Sequence, residues 1–118
     1  MVIYNQSGEL TLSGGVMFPA YSGHGLGLNN PSMENKVCIG PIPRGMWKVV
    51  AWYDRYKDKG PCVAKLEPVG FDPHRRSGFL CHGDNSLMNH TASDGCIVAS
   101  FIARNAWRKS GDMDLKVE

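Results

Sequence analysis

Fourteen glycines and seven prolines are spread through the 118 residues, and their frequency favours a turn-rich, mainly β architecture over a helix bundle. Between these breaks lie short alternating segments. Val2 and Tyr4, then Leu10 and Leu12 beyond the Ser7-Gly8 turn, predict an opening hairpin. Val16-Met17-Phe18 predicts a short strand stopped by Pro19. Met46 to Tyr53 (MWKVVAWY) is rich in β-branched and aromatic residues and is the clearest strand, with Cys62 to Leu66 as its partner across a charged turn. Ser77 to Gly83 reads as an apolar strand ending on His82. After a polar loop from Asp84 to Asp94, Gly95 to Val98 opens another apolar run. One helix is expected: Ser100 caps it, Ile102, Ala106 and Trp107 share a face, and Gly111 stops it. Met113 to Val117 adds a final edge strand. The Gly/Asn/Pro segment from Ser22 to Asn35 is the length of loop that is usually functional or disordered. No linker or repeat divides the chain, so one domain over residues 1–118 is expected.

Composition narrows the function classes. At 42% apolar and 20% charged the chain is ordinary for a globular protein. Its net charge of +2 comes from scattered Lys and Arg, without a basic stripe carrying aromatics, so nucleic acid is not an expected partner. No stretch approaches the ~20 apolar residues of a membrane span, so no membrane partner is expected either. The N-terminus lacks the pattern of a secretory signal. Synthesis in the cytoplasm is the expectation, with delivery by other means if the substrate lies outside.

The four cysteines could form two disulfides in three pairings. A chain this long does not need them, and Cys38, Cys62 and Cys81 are expected to be small core residues. Neither Cys-x-x-Cys nor His-x-x-x-His occurs. Cys81 and His82, adjacent on a strand, should face opposite ways, with Cys81 pointing away from any groove that His82 faces. No metal or cofactor is expected.

Cys96 sits in different surroundings. Ser93-Asp94-Gly95-Cys96-Ile97 places a cysteine directly after glycine at the start of an apolar run, fourteen residues beyond His82-Gly83. Cysteine chemistry requires a thiolate, a base to make it, and donors for the oxyanion that develops. His82 can take the thiol proton. Gly95 permits a tight backbone approach, so that main-chain N–H groups around Gly95 and Cys96 can converge on one oxygen. The competing readings are a buried structural thiol and a satisfied buried histidine. His90 and His24 are weaker candidates for the site, and His74 reads as surface. Arg75, Arg76 and Arg44 could hold substrate carboxylates, since a guanidinium fork suits them. Asp94 reads as a turn residue and Ser93 as one that shapes the turn or binds substrate. Trp47, Trp52 and Trp107 read as core.

Phe79-Leu80-Cys81-His82-Gly83 followed by Thr91-Ala92-Ser93-Asp94-Gly95-Cys96-Ile97 resembles the active-site signature of YkuD-type L,D-transpeptidases. That pattern has histidine before the glycine, where this chain has Asp94. The chain is more similar to the small branch with type VI secretion L,D-transpeptidase effectors and related phage proteins, which also share the Ser22 to Pro31 and Gly40 to Gly45 stretches. The resemblance implies a mainly β, single-domain YkuD-like sandwich or barrel with one short α-helix. It implies a Cys96 acyl-enzyme on peptidoglycan stem peptides at the meso-diaminopimelate–D-Ala bond. His82 is then the base, its ring oriented by a main-chain carbonyl, and Gly83, Ser93, Asp94, Arg75 and Arg76 are motif or substrate-binding positions. The outcome is transpeptidation, carboxypeptidase action or exchange, in an antibacterial effector or a phage lysis enzyme acting in the periplasm. An immunity protein or a secretion adaptor is the partner such a setting implies, and a monomer is expected. The alternatives are a non-catalytic peptidoglycan-binding module of the same fold, a cysteine endopeptidase of cross-links, and a cytosolic cysteine hydrolase with an unrelated substrate.

Overall fold

The short alternating segments close into an eight-stranded barrel accompanied by one α-helix. The computed structural model describes residues 1–84 and 95–118; His90, Ser93 and Asp94 lie outside the described residues. The strands are β1 (Val2–Asn5), β2 (Glu9–Thr11), β3 (Met17–Ser22), β4 (Gly45–Tyr56), β5 (Gly60–Pro68), β6 (Leu80–His82), β7 (Ile97–Ala99) and β8 (Asp114–Val117). The helix, α1 (Phe101–Ser110), lies between β7 and β8 in sequence. Around the barrel the order is β1-β2-β3-β7-β6-β5-β4-β8, and β8 closes it by pairing in parallel with β1.

Alternation decides what faces inward. Val2, Tyr4, Leu10, Leu115 and Val117 are buried in one core, each beside an outward neighbour. Burial of an aliphatic side chain of this kind contributes roughly 1.5–3 kcal/mol. Trp47 anchors β4: it is buried edge-on against Phe71 and Phe79, and its Nε1 donates to the Pro43 carbonyl at 3.0 Å. The Gly40 to Gly45 stretch is fixed by side chains instead of a ladder. Gln6 Nε2 donates to the Ile42 carbonyl at 2.7 Å, and the Ile42 N–H donates to Ser22 Oγ at 2.7 Å.

Besides β8, which is no edge strand because it pairs with both β1 and β4, three expectations need correction. β3 runs through Pro19 instead of stopping there. Pro19 pairs with Glu9 of β2, whereas β7 meets β3 only at Ala20 to Ser22, so the missing N–H interrupts no β7 ladder. In α1 the buried residues are Ala103, Arg104 and Trp107, while Ile102 is 71% exposed. Seating Trp107 in the core turns Ile102 outward. Third, Cys62 and Cys81 are buried but Cys38 is exposed, in a loop where its φ is +65°. The helix ends are as expected, with Ser100 Oγ accepting from the Ala103 N–H and Gly111 left-handed.

Candidate active site

β6 and β7 lie side by side and parallel, Cys81 opposite Ile97 and His82 opposite Val98. One residue earlier, the same register sets Leu80 opposite Cys96. Side chains alternate along a strand, so Cys81, Ile97 and Ala99 enter the barrel core while Leu80, His82 and Cys96 share the outer face. Strands about 4.8 Å apart with a rise of about 3.3 Å per residue place the His82 and Cys96 α-carbons about 8 Å apart on that face. Both side chains line one cavity of about 340 Å³.

The histidine is held by its own neighbour. His82 Nδ1 lies 2.7 Å from the Gly83 carbonyl, which can only accept, so that nitrogen carries the proton. Nε2 is then the acceptor; it is buried and has no hydrogen-bond partner among the described residues. Burial pulls the His82 pKa below the ordinary histidine value. The Gly83 carbonyl opposes this, the Lys59 and Arg104 charges reinforce it, and Asp58 opposes it again. The result is a neutral imidazole at neutral pH.

Around the sulfur the backbone is clamped. Cys96 Sγ donates to the Gly78 carbonyl at 3.8 Å. Gly95 has a φ of +124°, and a β-carbon there would collide with Arg76 Nη2. Ser22 Oγ donates to the Gly95 carbonyl at 3.3 Å. Because the peptide is trans, the Cys96 N–H points away from Ser22.

The cavity is cationic. Lys59, Arg75 and Arg76 line it, and none of its described lining residues is a carboxylate. Arg76 is 8% exposed, lies over the Phe79 ring, and donates to the carbonyls of Glu34, Pro41 and Gly40 at 2.6, 2.8 and 2.9 Å. Burial lowers its pKa, while the nearby sulfurs of Cys38 and Cys96 and the Glu34 carboxylate act in the opposite sense. Cys81, adjacent to His82 in sequence but sealed in the core, is a different thiol: burial pushes its pKa up to about 12.

Of the residues singled out from sequence, Cys96, His82, Gly95, Arg75 and Arg76 meet at this cavity, and Gly83 lines a neighbouring one of about 590 Å³. Arg44 instead pairs with Glu34 at 2.6 Å, as does His74 at 3.2 Å. His24 caps a single turn at Gly25–Gly27 and is not among the lining residues. Sequence reasoning did not single out Ser22, Lys59 or Arg104 for the site, and it placed Cys38 in the core. Ser22 opens a segment already marked as a functional loop. An arginine in a helix reads as a solvated side chain, so Arg104 carried no signal. No group of three metal-ligating side chains occurs among the described residues.

A barrel of this topology is the L,D-transpeptidase fold. The crystal structure of Mycobacterium tuberculosis L,D-transpeptidase 1 matches it with a TM-score of 0.55 and 17% identity, over 98% of this chain and 58% of that one. Residues 16–117 match the family model of the Tlde1 domain, and the chain belongs to that family. No curated protein sequence matches the chain.

Proposed function

We propose that this domain is a cysteine acyl-transfer enzyme that processes peptidoglycan stem peptides as an antibacterial effector. The observation that carries the reading is that Cys96 and a neutral His82 with an acceptor Nε2 share one outer face of adjacent parallel strands and one cavity. In this reading the thiol proton passes to His82 Nε2 as sulfur attacks the carbonyl carbon of the third stem residue, at the L-centre of meso-diaminopimelate. The tetrahedral oxyanion is met by the N–H groups of Gly95 and Cys96. Its collapse breaks the C–N bond, the imidazolium returns the proton to the amine of departing D-Ala, and a thioester remains. Water attacking that thioester gives a carboxypeptidase; a diaminopimelate amine gives a cross-link; a D-amino acid gives exchange. In each case His82 takes the nucleophile's proton and the thiol is regenerated.

The cations suit such a substrate. Stem peptides carry carboxylates, and Lys59 and Arg75 present charge into the cavity, while the Arg76 guanidinium is engaged with main-chain carbonyls. Action at the cell wall requires export, and no helix among the described residues is long and apolar enough to cross a membrane.

The test is incubation of purified muropeptides with the protein and with Cys96→Ala, read by mass. Loss of D-Ala, new cross-links or D-amino-acid exchange from the unaltered protein alone supports the proposal and names the reaction. Unchanged masses with the unaltered protein, together with retained muropeptide binding by both proteins, would identify a binding module instead.

A further inference from the structure

Arg104 has no place in the acyl-transfer scheme, yet it is one of the most heavily engaged side chains in the molecule. It is 4% exposed, and among the described residues no carboxylate pairs with it. Its Nε donates to the carbonyls of Ala99 and Ser100 at 3.0 and 3.3 Å, and its Nη1 to those of Pro61 and Cys62 at 2.5 and 2.8 Å. One guanidinium thus ties the end of β7 and the start of α1 to the beginning of β5. Its remaining nitrogen, Nη2, lies against Gly83, where a β-carbon would stand only 2.8 Å from it. Gly83 is the residue whose carbonyl accepts from His82 Nδ1.

We propose that Arg104 is a positioning residue for His82: its guanidinium, filling the space beside Gly83, fixes the peptide whose carbonyl sets the histidine tautomer. The proposal rests on the reading of His82 as the base. The geometry gives it a physical basis. A histidine that donates to the carbonyl of the very next residue depends on the orientation of a single peptide group. Gly83 follows the last residue of β6 and so has no strand ladder to hold it. A glycine beside a guanidinium packs where any larger residue would be pushed away. The planar fork suits this role, since a lysine ammonium cannot reach four carbonyls and also present a flat edge to Gly83. The charged and titratable groups that bear on His82 are Lys59 and Asp58 before β5, Arg104 on α1, and Cys96 before β7.

The experiment compares unaltered protein with Arg104→Lys and Arg104→Met by ¹⁵N-histidine NMR and by kinetics on muropeptides. In the unaltered protein the His82 signal, assigned by its loss in His82→Gln, is expected as a neutral Nδ1–H imidazole that persists below pH 6.5. Both Arg104 variants are expected to show a mixture of tautomers and a kcat lower by roughly 10- to 100-fold, with KM little changed. A folded variant that keeps the Nδ1–H signature, or full restoration of kcat by lysine, overturns the proposal. So does an Nε2–H signal in the unaltered protein, which requires no variant to fold. The NMR arm needs no turnover, so an inactive unaltered protein whose Nδ1–H tautomer becomes mixed in the Arg104 variants would sink the reading of His82 as the base and leave only the part of Arg104 in setting the tautomer.

Discussion

The β4–β5 hairpin and the β6–β7 pair are built on opposite principles. The hairpin strands run twelve and nine residues, with eight paired positions and one bulge between Val49 and Ala51. The site strands run three residues each, with two paired positions between them, two more joining β6 to β5 and three joining β7 to β3. Backbone ladders hold the first region. Side chains from elsewhere hold the second: Ser22 on the Gly95 carbonyl, Arg76 against Gly95, Arg104 against Gly83. A short ladder leaves strand ends open to a cavity, which catalysis needs, and the buried side chains supply the rigidity that the ladder lacks.

If that contrast is right, substitutions in the two regions should separate chemistry from stability. Cys96→Ala is expected to lower turnover roughly 10⁴-fold or more, and His82→Gln by roughly 10²- to 10⁴-fold, each with a nearly unchanged melting temperature. Trp47→Ala, under the hairpin, should do the reverse. It removes a buried indole at a cost of about 3–5 kcal/mol, while activity per folded molecule is kept. Urea melts beside muropeptide assays would show this, and a Trp47 variant that folds fully but is inactive would break the contrast.

Glycine-to-alanine changes grade the bracing itself. Gly95→Ala meets both a left-handed φ and Arg76, and should cost about 2–4 kcal/mol. Gly83→Ala meets Arg104 alone and should cost about 1–3 kcal/mol. Gly111→Ala ends α1 in open space with a φ of 73°, and should cost about 1 kcal/mol. Denaturant midpoints that reversed this order would show that the arginines yield easily and brace nothing.

The pH profile sharpens the same point. As the proposed base, His82 would act when neutral, and its pKa is lowered chiefly by burial, so the acid limb of kcat/KM should fall below the ordinary histidine value of about 6.5. Stability shares the direction. The unfolded histidine takes a proton below about 6.5 and the folded one only at lower pH, so acidification through that window favours unfolding. A limb at or above 6.5 would mean that the imidazole is not sheltered. The smallest effect is expected on the cavity rim: Arg75→Ala should raise KM roughly 5-fold, the equivalent of about 1 kcal/mol for an exposed charge, and leave the melting temperature alone.

How far each region was legible follows from what holds it together. MWKVVAWY announced β4 because a long ladder needs β-branched and aromatic residues in the pairing segment itself. Tyr4 and Leu10 announced β1 and β2 by alternation, and Ser100 and Gly111 marked both ends of α1. At the site, His82-Gly83 and Gly95-Cys96 were visible as motifs because their glycines and reactive groups are local. Their supports were not. Ser22 lies seventy-three residues from Gly95, and Arg104 reaches carbonyls forty-two and forty-three residues away. Nothing in local spacing encodes such bonds. Pro19 misled for a related reason: the cost of a proline in a strand depends on which neighbour strand is absent, and that is a property of the closed sheet.

That closure has a consequence for how the molecule is made. The first strand pairs with the last, Val2 with Leu115 and Tyr4 with Val117, and the last also zips Gly45 to Lys48. Until residues 114–117 leave the ribosome, the nascent domain is an open ribbon with two raw borders, each able to recruit a foreign strand. Shelter from aggregation therefore arrives only with β8, and removing that strand would leave both borders bare.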